Sequence, residues 1–209
     1  MKKPVAPLSL SAWAATAALL LTAAPASAAP STVWTVAPSP VAVSATNVGN
    51  VGMNLNGLPM NCPKSTASML LASTTGNPAV LGNVSALTFG APGAPCSSQV
   101  PLVVTPTGPW KFVARDHDAT TGVTSGYVDD IDIGLNVAYL VLRVRGRSSA
   151  TFSNATGRLT LSSVTGELPV TQTNDAGAVP VGSSLFLKAT YQTRVSGSSL
   201  LPKIVGTNP

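Results

Sequence analysis

The chain consists largely of short runs rich in Val, Thr, Leu and aromatic residues, separated by clusters of Pro, Gly, Asn and Ser such as Pro38–Pro40, Gly90–Gly93 and Asn174–Gly177. Short strands at spacings of about ten residues, divided by turn residues, are typical of an antiparallel sandwich or barrel. The runs are Thr32–Val36, Val41–Ala45, Ser85–Phe89, Val100–Val104, Trp110–Arg115, Gly126–Ile133, Ala138–Val144, Ala150–Phe152, Arg158–Ser162, Leu168–Thr171 and Ser184–Arg194. The sequence therefore predicts an all-β fold, an antiparallel β-sandwich or partly closed β-barrel of about ten strands.

The first 28 residues have the three parts of a secretory signal. Lys2 and Lys3 form the basic region, Ala12–Leu21 is apolar, and Ala26–Ala28 is a small-residue cleavage site. The apolar stretch is shorter than the roughly 20 residues that a membrane-spanning helix needs, and no later segment is longer. We therefore expect cleavage after residue 28, a secreted protein without a membrane span, a single β domain over residues 29–195 and a flexible tail over residues 196–209.

The charge content is low. Charged residues make up 9% of the chain, with 12 Lys and Arg against 7 Asp and Glu, whereas an average domain has about 25%. The basic residues cluster at Arg143, Arg145 and Arg147, without aromatic residues between them. A nucleic-acid interface needs clustered cations with interleaved aromatic side chains, so we expect no nucleic-acid partner.

Two cysteines, Cys62 and Cys96, lie in the exported part of the chain. An even number of cysteines in an oxidising compartment predicts one disulfide. It would close a loop of about 35 residues, which the loop-entropy relation values at roughly 3 to 4 kcal/mol. A zinc site would need more ligands than these two thiols and the distant His117.

Five of the seven acidic residues, Asp116, Asp118, Asp129, Asp130 and Asp132, lie within 17 positions. Carboxylates on two paired segments are suitable calcium ligands, and the candidate ligands are Asp116, Asp118, Asp130 and Asp132. Alternation places Asp130 and Asp132 on one face of their strand and Asp129, Ile131 and Ile133 on the other. The arginines on the following strand also alternate. Cross-strand salt bridges between the aspartates and these arginines would therefore explain both groups without a ligand.

A hydrolase would use the same aspartates in a different way. A glycosidase needs two carboxylates across a cleft, one of them with a raised pKa. A Ser-His-Asp site would use His117, but no Gly-x-Ser-x-Gly turn is present, and strand alternation points His117 away from Asp116 and Asp118. We keep a secreted hydrolase as an alternative and expect a non-enzymatic protein.

Two hairpins are predicted in detail. In the first, Trp110, Phe112 and Ala114 share one face, and residues 118–122 turn the chain back into Val123–Ile133. In the second, residues 154–157 connect Thr151–Ser153 with an alternating strand that starts at Arg158. Trp110 is a predicted core residue. Trp34, near the mature N-terminus, is either core or an exposed ligand-binding aromatic residue.

A series of short motifs runs through most of the mature chain. They are Trp34–Val36, Cys62 with Cys96, Leu87–Phe89, Gly108–Trp110, Ala119–Gly126, Phe152–Leu159 and Ala189–Tyr191. Their order resembles a family of small secreted proteins of actinobacteria without assigned activity. The resemblance implies a secreted, disulfide-containing β protein. Family members often carry further cysteines in the second half, and this chain has none there.

Together these features predict a secreted, non-enzymatic β protein, extracellular or associated with the cell envelope, with a binding or structural role. Few charges and many Ser, Thr and Gly residues suit a neutral cell-wall polymer or association with like copies. The main alternative is a carbohydrate or cell-wall binding module. No cofactor is expected apart from calcium at the aspartates.

Overall fold

The computed structural model describes residues 32–207, so the predicted signal peptide lies outside the described residues. In this range the chain is all-β, without a helix, and no helix that could cross a membrane is found there. The strands are β1 Val33–Ala37, β2 Val41–Asn47, β3 Val51–Leu55, β4 Leu58–Cys62, β5 Ser65–Leu71, β6 Thr74–Thr75, β7 Ala79–Phe89, β8 Ser97–Ser98, β9 Leu102–Thr107, β10 Trp110–Asp118, β11 Val123–Val137, β12 Leu140–Ser153, β13 Arg158–Ser162, β14 Val170–Thr173, β15 Leu185–Val195 and β16 Lys203–Thr207.

Eight of these strands form a closed antiparallel barrel. They follow the order β13-β12-β11-β10-β7-β5-β2-β15, and β15 pairs back onto β13 to close the sheet. An eight-stranded barrel is just wide enough for side chains to fill, and Trp110, Phe112, Phe152 and Leu159 are buried inside. The all-β prediction is confirmed, and the sheet closes on itself instead of forming two layers. The strands outside the barrel raise their number above the predicted ten.

A pair of hydroxyl groups, from Tyr191 and Ser65, is buried in the barrel. The phenol of Tyr191 exchanges a 2.8 Å hydrogen bond with the Ser65 Oγ, which donates to the Thr88 carbonyl. Burial raises the pKa of Tyr191 to about 12. These bonds satisfy both buried hydroxyl groups.

Strands β11 and β12 form a long ribbon that extends beyond the barrel. The first part of β11 pairs with β10 and the last part with β9, while β12 continues from β13 to β14. A bulge lies in β11 between Val128 and Ile131, with Asp130 at a φ of 54°. Because one residue is added there, Val128 and Ile131 are both buried. The prediction that Asp129 shares a face with Ile131 is therefore wrong.

Strands β16, β1 and β6 form a separate three-stranded sheet. β16 lies in the segment that we predicted to be a flexible tail, and this prediction is wrong for Lys203–Thr207, which pair with β1. Ile204 is fully buried opposite Val36, and the Asn154 side chain bonds both backbone polar groups of Ile204. Apolar burial and backbone pairing hold this segment in place.

The predicted disulfide and both predicted hairpins are confirmed. Cys62 at the end of β4 is bonded to Cys96, just before β8. β10 and β11 are connected through a turn with Gly122 at a φ of 66°, and β12 and β13 through a turn with Gly157 at 63°. Glycine adopts this conformation without the steric cost of a Cβ atom.

Candidate functional site

The aspartates occupy separate positions. Asp132 accepts two hydrogen bonds from Arg143, at 2.8 and 2.6 Å, and one from Arg145 at 3.0 Å. The Arg143 guanidinium, aided by Arg145, lowers the pKa of Asp132 although partial burial opposes the shift. Cross-strand salt bridges between the aspartates and the arginines are therefore confirmed for these three residues.

Asp130, at the bulge, pairs with a lysine of the adjacent strand. Its carboxylate lies 2.7 Å from the Lys111 Nζ, and both side chains are about half exposed. The hydrogen bond and the charge of Asp130 raise the pKa of Lys111. Exposed pairs contribute little to stability because water and salt screen them.

Asp118 and Asp116 bind backbone amides. The Asp118 carboxylate accepts hydrogen bonds from the Thr121 hydroxyl at 2.7 Å and the Thr120 amide at 2.8 Å, and these bonds lower the pKa of Asp118. The Asp116 carboxylate accepts from the amide of His117 at 2.8 Å. Within residues 32–207 no group of three or more His, Cys, Asp or Glu side chains is arranged to hold a metal ion. The calcium candidates Asp116, Asp118, Asp130 and Asp132 thus gain no support from this arrangement.

His117 turns away from both neighbouring aspartates, as alternation predicts. Its Nδ1 lies 2.9 Å from the Oγ1 of Thr124, its partner on β11. The ring thus exchanges a hydrogen bond with a threonine and not with a carboxylate. This arrangement gives no support to a Ser-His-Asp site.

Trp34 and Trp110 are both core residues. Trp34 is 0% exposed, and its Nε1 donates to the carbonyl of Gly76 at 2.8 Å. A sugar-binding platform needs an exposed aromatic face, so Trp34 is corrected from a candidate ligand-binding residue to a structural one. Trp110 is buried as predicted, donates to the Thr107 carbonyl at 2.8 Å and lies beside Phe89.

A groove on the outside of the barrel runs across β10 to β13. We call it the hydroxyl groove; its volume is about 500 Å³, and its lining includes Arg115, Asp116, Ser125, Ser149, Thr151 and Thr160. Four of these residues are cross-strand neighbours in the order Asp116, Ser125, Thr151 and Thr160, and Thr190 on β15 continues the row. Adjacent strands are about 4.8 Å apart, so these side chains form a regular line of polar groups.

The register that exposes this polar row also buries the row beside it. Thr124, Phe152, Leu159 and Tyr191 are cross-strand neighbours one position along their strands, and all four are buried in the barrel. Because successive side chains of a strand point to opposite faces, the buried row fixes the polar row on the outer face. The hydroxyl positions are thus set by the barrel core.

The hydroxyl groups of the polar row are available to a ligand. The structure shows no hydrogen bond from the side chains of Ser125, Thr151, Thr160 or Thr190 to any other residue in the range 32–207. By contrast, the Ser149 hydroxyl donates to Glu167 at 2.7 Å. A hydroxyl group can both donate and accept, so four of them in a line suit a ligand that also carries hydroxyl groups.

Two further grooves follow the outer face of the β11–β12 ribbon. The arginine groove has a volume of about 500 Å³, and its lining includes Asp129, Arg145, Gly146, Arg147 and Glu167. The ribbon groove has a volume of about 420 Å³, and its lining includes Thr105, Gly134, Val141, Arg143, Gln172 and Asn174.

Glu167 is a site residue that the sequence analysis missed. Its carboxylate accepts hydrogen bonds from the Ser149 amide, the Ser149 hydroxyl and the Val164 amide. Partial burial opposes the shift, but the bonds from Ser149 and Val164 lower the pKa of Glu167 overall. Glu167 thereby fixes the boundary between the hydroxyl groove and the arginine groove. The sequence carries no signal for it, because Ser149 is 18 positions away.

No protein-family model, curated protein or solved structure matches this chain. The function is therefore argued from the geometry of the grooves.

Proposed function

We propose that the protein is exported, is not an enzyme, and binds a neutral polysaccharide of the cell envelope in the hydroxyl groove. The observation that carries the proposal is the line of hydroxyl groups at Ser125, Thr151, Thr160 and Thr190, which cross four adjacent strands. Each of these groups can donate one hydrogen bond to a hydroxyl group of a polyhydroxyl ligand and accept another from it. The cysteine bridge, the predicted signal peptide and the resemblance to secreted actinobacterial proteins agree with export.

The charges of the groove favour a neutral ligand. Arg115 and Asp116 are the charged side chains in its lining, and they have opposite signs. A polyanion would gain little net attraction from these opposite charges, and a neutral chain does not depend on such attraction. The groove is also open, and half of its lining residues are Ser or Thr, unlike the enclosed pockets that take small molecules.

The acidic residues give the hydrolase alternative little support. A glycosidase needs one carboxyl group with a raised pKa, whereas the pKa values of Asp118, Asp132 and Glu167 are all lowered. Within residues 32–207, Asp116 is the single carboxylate in the lining of the hydroxyl groove. We therefore favour binding over hydrolysis.

Co-sedimentation of the purified protein with cellulose, chitin and a purified cell-wall fraction tests the proposal. We expect the protein to pellet with at least one of these polymers. The variant T151V/T160V removes two hydroxyl groups of the polar row while keeping the branched shape, and it should pellet about tenfold less. The control T46V changes an exposed threonine on β2, outside the groove, and should pellet like the wild type. Failure of the wild type to pellet with any polymer would refute the proposal.

Self-association is a second candidate, favoured by an apolar cluster at the tip of the ribbon. Tyr139 is 72% exposed, and Val103 and Val141, which flank Asn136 on the two sides of β11, are 57% and 56% exposed. The Asn174 side chain binds the Tyr139 carbonyl and the Val141 amide, so the tip is held in one conformation. Exposed apolar patches mark contact surfaces. Light scattering should show oligomers that the variant V103T/V141T disperses, and a monomer at all concentrations would exclude this candidate.

A further inference from the structure

The three grooves share the outer face of one strand. Six alternate residues of β12 point outward, and they line the grooves in order. They are Val141 and Arg143 in the ribbon groove, Arg145 and Arg147 in the arginine groove, and Ser149 and Thr151 in the hydroxyl groove. β12 has no bulge along its pairing with β13, so its alternation is unbroken there. From Val141 to Thr151 the strand rises about 30 Å.

The bulge in β11 keeps the outward-facing residues of β11 on the same side of the ribbon as those of β12. Before the bulge Ser125 lies opposite Thr151, and after it Gly134 lies opposite Arg143. Without the extra residue at the bulge, the later part of β11 would turn its apolar residues to this side. The bulge therefore keeps Ser125 and Gly134 on the same outer face as Thr151 and Arg143.

Paired charges occupy the middle of this face. Asp132 binds both Arg143 and Arg145, and the Arg147 guanidinium lies 5.2 Å from the centre of the Tyr127 ring. The arginines are thus held in place by neighbours instead of being free to bind an anion. They still present N–H donors to a ligand, because a guanidinium has five.

Gly134 forms the floor of the ribbon groove. It lies between Thr105 on β9 and Arg143 on β12, and Gln172 on β14 follows in the same row. A Cβ atom at Gly134 would meet the Thr105 carbonyl oxygen at 3.6 Å, which is an ordinary contact. A side chain would therefore fit the backbone here, and its absence leaves the groove open.

We infer that a single linear polysaccharide chain lies along β12, crosses the polar row at Thr151, and occupies the hydroxyl groove and the ribbon groove together. This inference rests on the proposed function and adds the direction and minimum length of the ligand. Both ends of the face carry hydroxyl or amide groups, and the arginines at its centre contact Asp132 and Tyr127. A chain that reaches both ends binds more tightly than one that fills a single groove, because the second contact is intramolecular.

Binding of cello- and chito-oligosaccharides of two lengths, a disaccharide and a chain of roughly eight units, tests the inference by calorimetry. For the wild type we expect the longer chain to bind at least tenfold more tightly. The variant G134V fills the ribbon groove, and it should remove this advantage without changing disaccharide binding. Q172A, an exposed change in the same groove, should reduce the advantage in the same direction. The variant T151V/T160V should weaken both ligands.

The matched control is G52V. Gly52 is also a mid-strand glycine between two paired strands, and a Cβ atom there would meet its nearest neighbours at 3.9 Å. G52V should keep the length dependence, and melting curves should show that both valine variants are folded. Equal affinities of wild type and G134V for the longer chain would overturn the inference and leave the proposed function standing. Absence of binding by the wild type at either length would count against the proposed function itself.

Discussion

The indole ring of Trp34 lies against Gly206, its cross-strand partner on β16. A Cβ atom at Gly206 would come within 2.6 Å of the Trp34 Cζ3 and 3.0 Å of the His117 Cβ. The glycine therefore allows the tryptophan to lie flat across the strand, and the ring in turn covers the C-terminal strand. This contact joins the first and last described strands.

Replacing Gly206 with Ala should destabilise the protein by about 1 to 3 kcal/mol, because the added methyl group overpacks a fully buried ring. Urea unfolding followed by Trp fluorescence measures the change. Gly52→Ala is the control, since its Cβ atom would have no neighbour closer than 3.9 Å. Equal stabilities of the Gly206→Ala variant and the wild type would mean that β16 is not held against Trp34.

Local sequence was sufficient for the parts of the fold that depend on near neighbours. Both hairpins were predicted because their turn glycines and alternating strands lie within a few positions of each other. Trp110 was predicted as core from its alternation with Phe112, and it is buried. Local sequence could not decide whether Trp34 is buried or whether Lys203–Thr207 form a strand, because β1 and β16 pair from opposite ends of the chain.

The candidate site depends on the register between neighbouring strands. The sequence of a single strand does not determine this register. Thr160 alternates with Leu159 and Leu161, so the strand period predicts that it faces outward. Its alignment with Thr151, Ser125 and Asp116 comes from the pairing of β10 to β13, and its alignment with Thr190 comes from the closure of the barrel by β13 and β15. The bulge at Asp129 and Asp130 had no sequence signal, and it overturned the assignment of Asp129 to the face of Ile131.

Asp132 makes stability depend on pH. Its pKa is lowered in the folded protein from an ordinary value of 3.8. Its contribution is therefore fully present above that value and is lost as the pH falls through the lowered folded pKa. Asp132→Asn should cost about 1 kcal/mol at neutral pH, reduced by the partial exposure of Arg143, and should flatten the loss of stability in acid.

Urea midpoints between pH 2 and pH 7 check this dependence. Asp130→Asn is the matched control, because Asp130 forms its ion pair with Lys111 at an exposed position. It should leave the midpoint nearly unchanged at every pH. An acid transition of unchanged steepness in Asp132→Asn would show that other carboxylates dominate the loss.

Calcium should not change the melting temperature. The candidate carboxylates are bound to different protein groups, with Asp130 held by Lys111 and Asp132 held by two arginines. A cation would have to displace these partners before it gained its oxygen ligands. Thermal melting in millimolar calcium and in EDTA should give superimposable curves, and a calcium-dependent rise of several degrees would restore the metal site.

The Asn154 side chain forms the hydrogen bonds to the β16 backbone that a neighbouring strand would otherwise form. Its Nδ2 donates to the Ile204 carbonyl at 2.7 Å, and its Oδ1 accepts from the Ile204 amide at 2.8 Å. Asn154→Ala leaves both backbone groups without these bonds, so it should destabilise the protein by about 1 to 3 kcal/mol. Hydrogen exchange should locate the loss, because the Ile204 amide should exchange faster while amides inside the barrel keep their relative protection. Asn83→Ala, at an exposed position on β7, should change neither measurement. Unchanged protection of Ile204 in Asn154→Ala would mean that pairing with β1 is sufficient to hold the C-terminal strand.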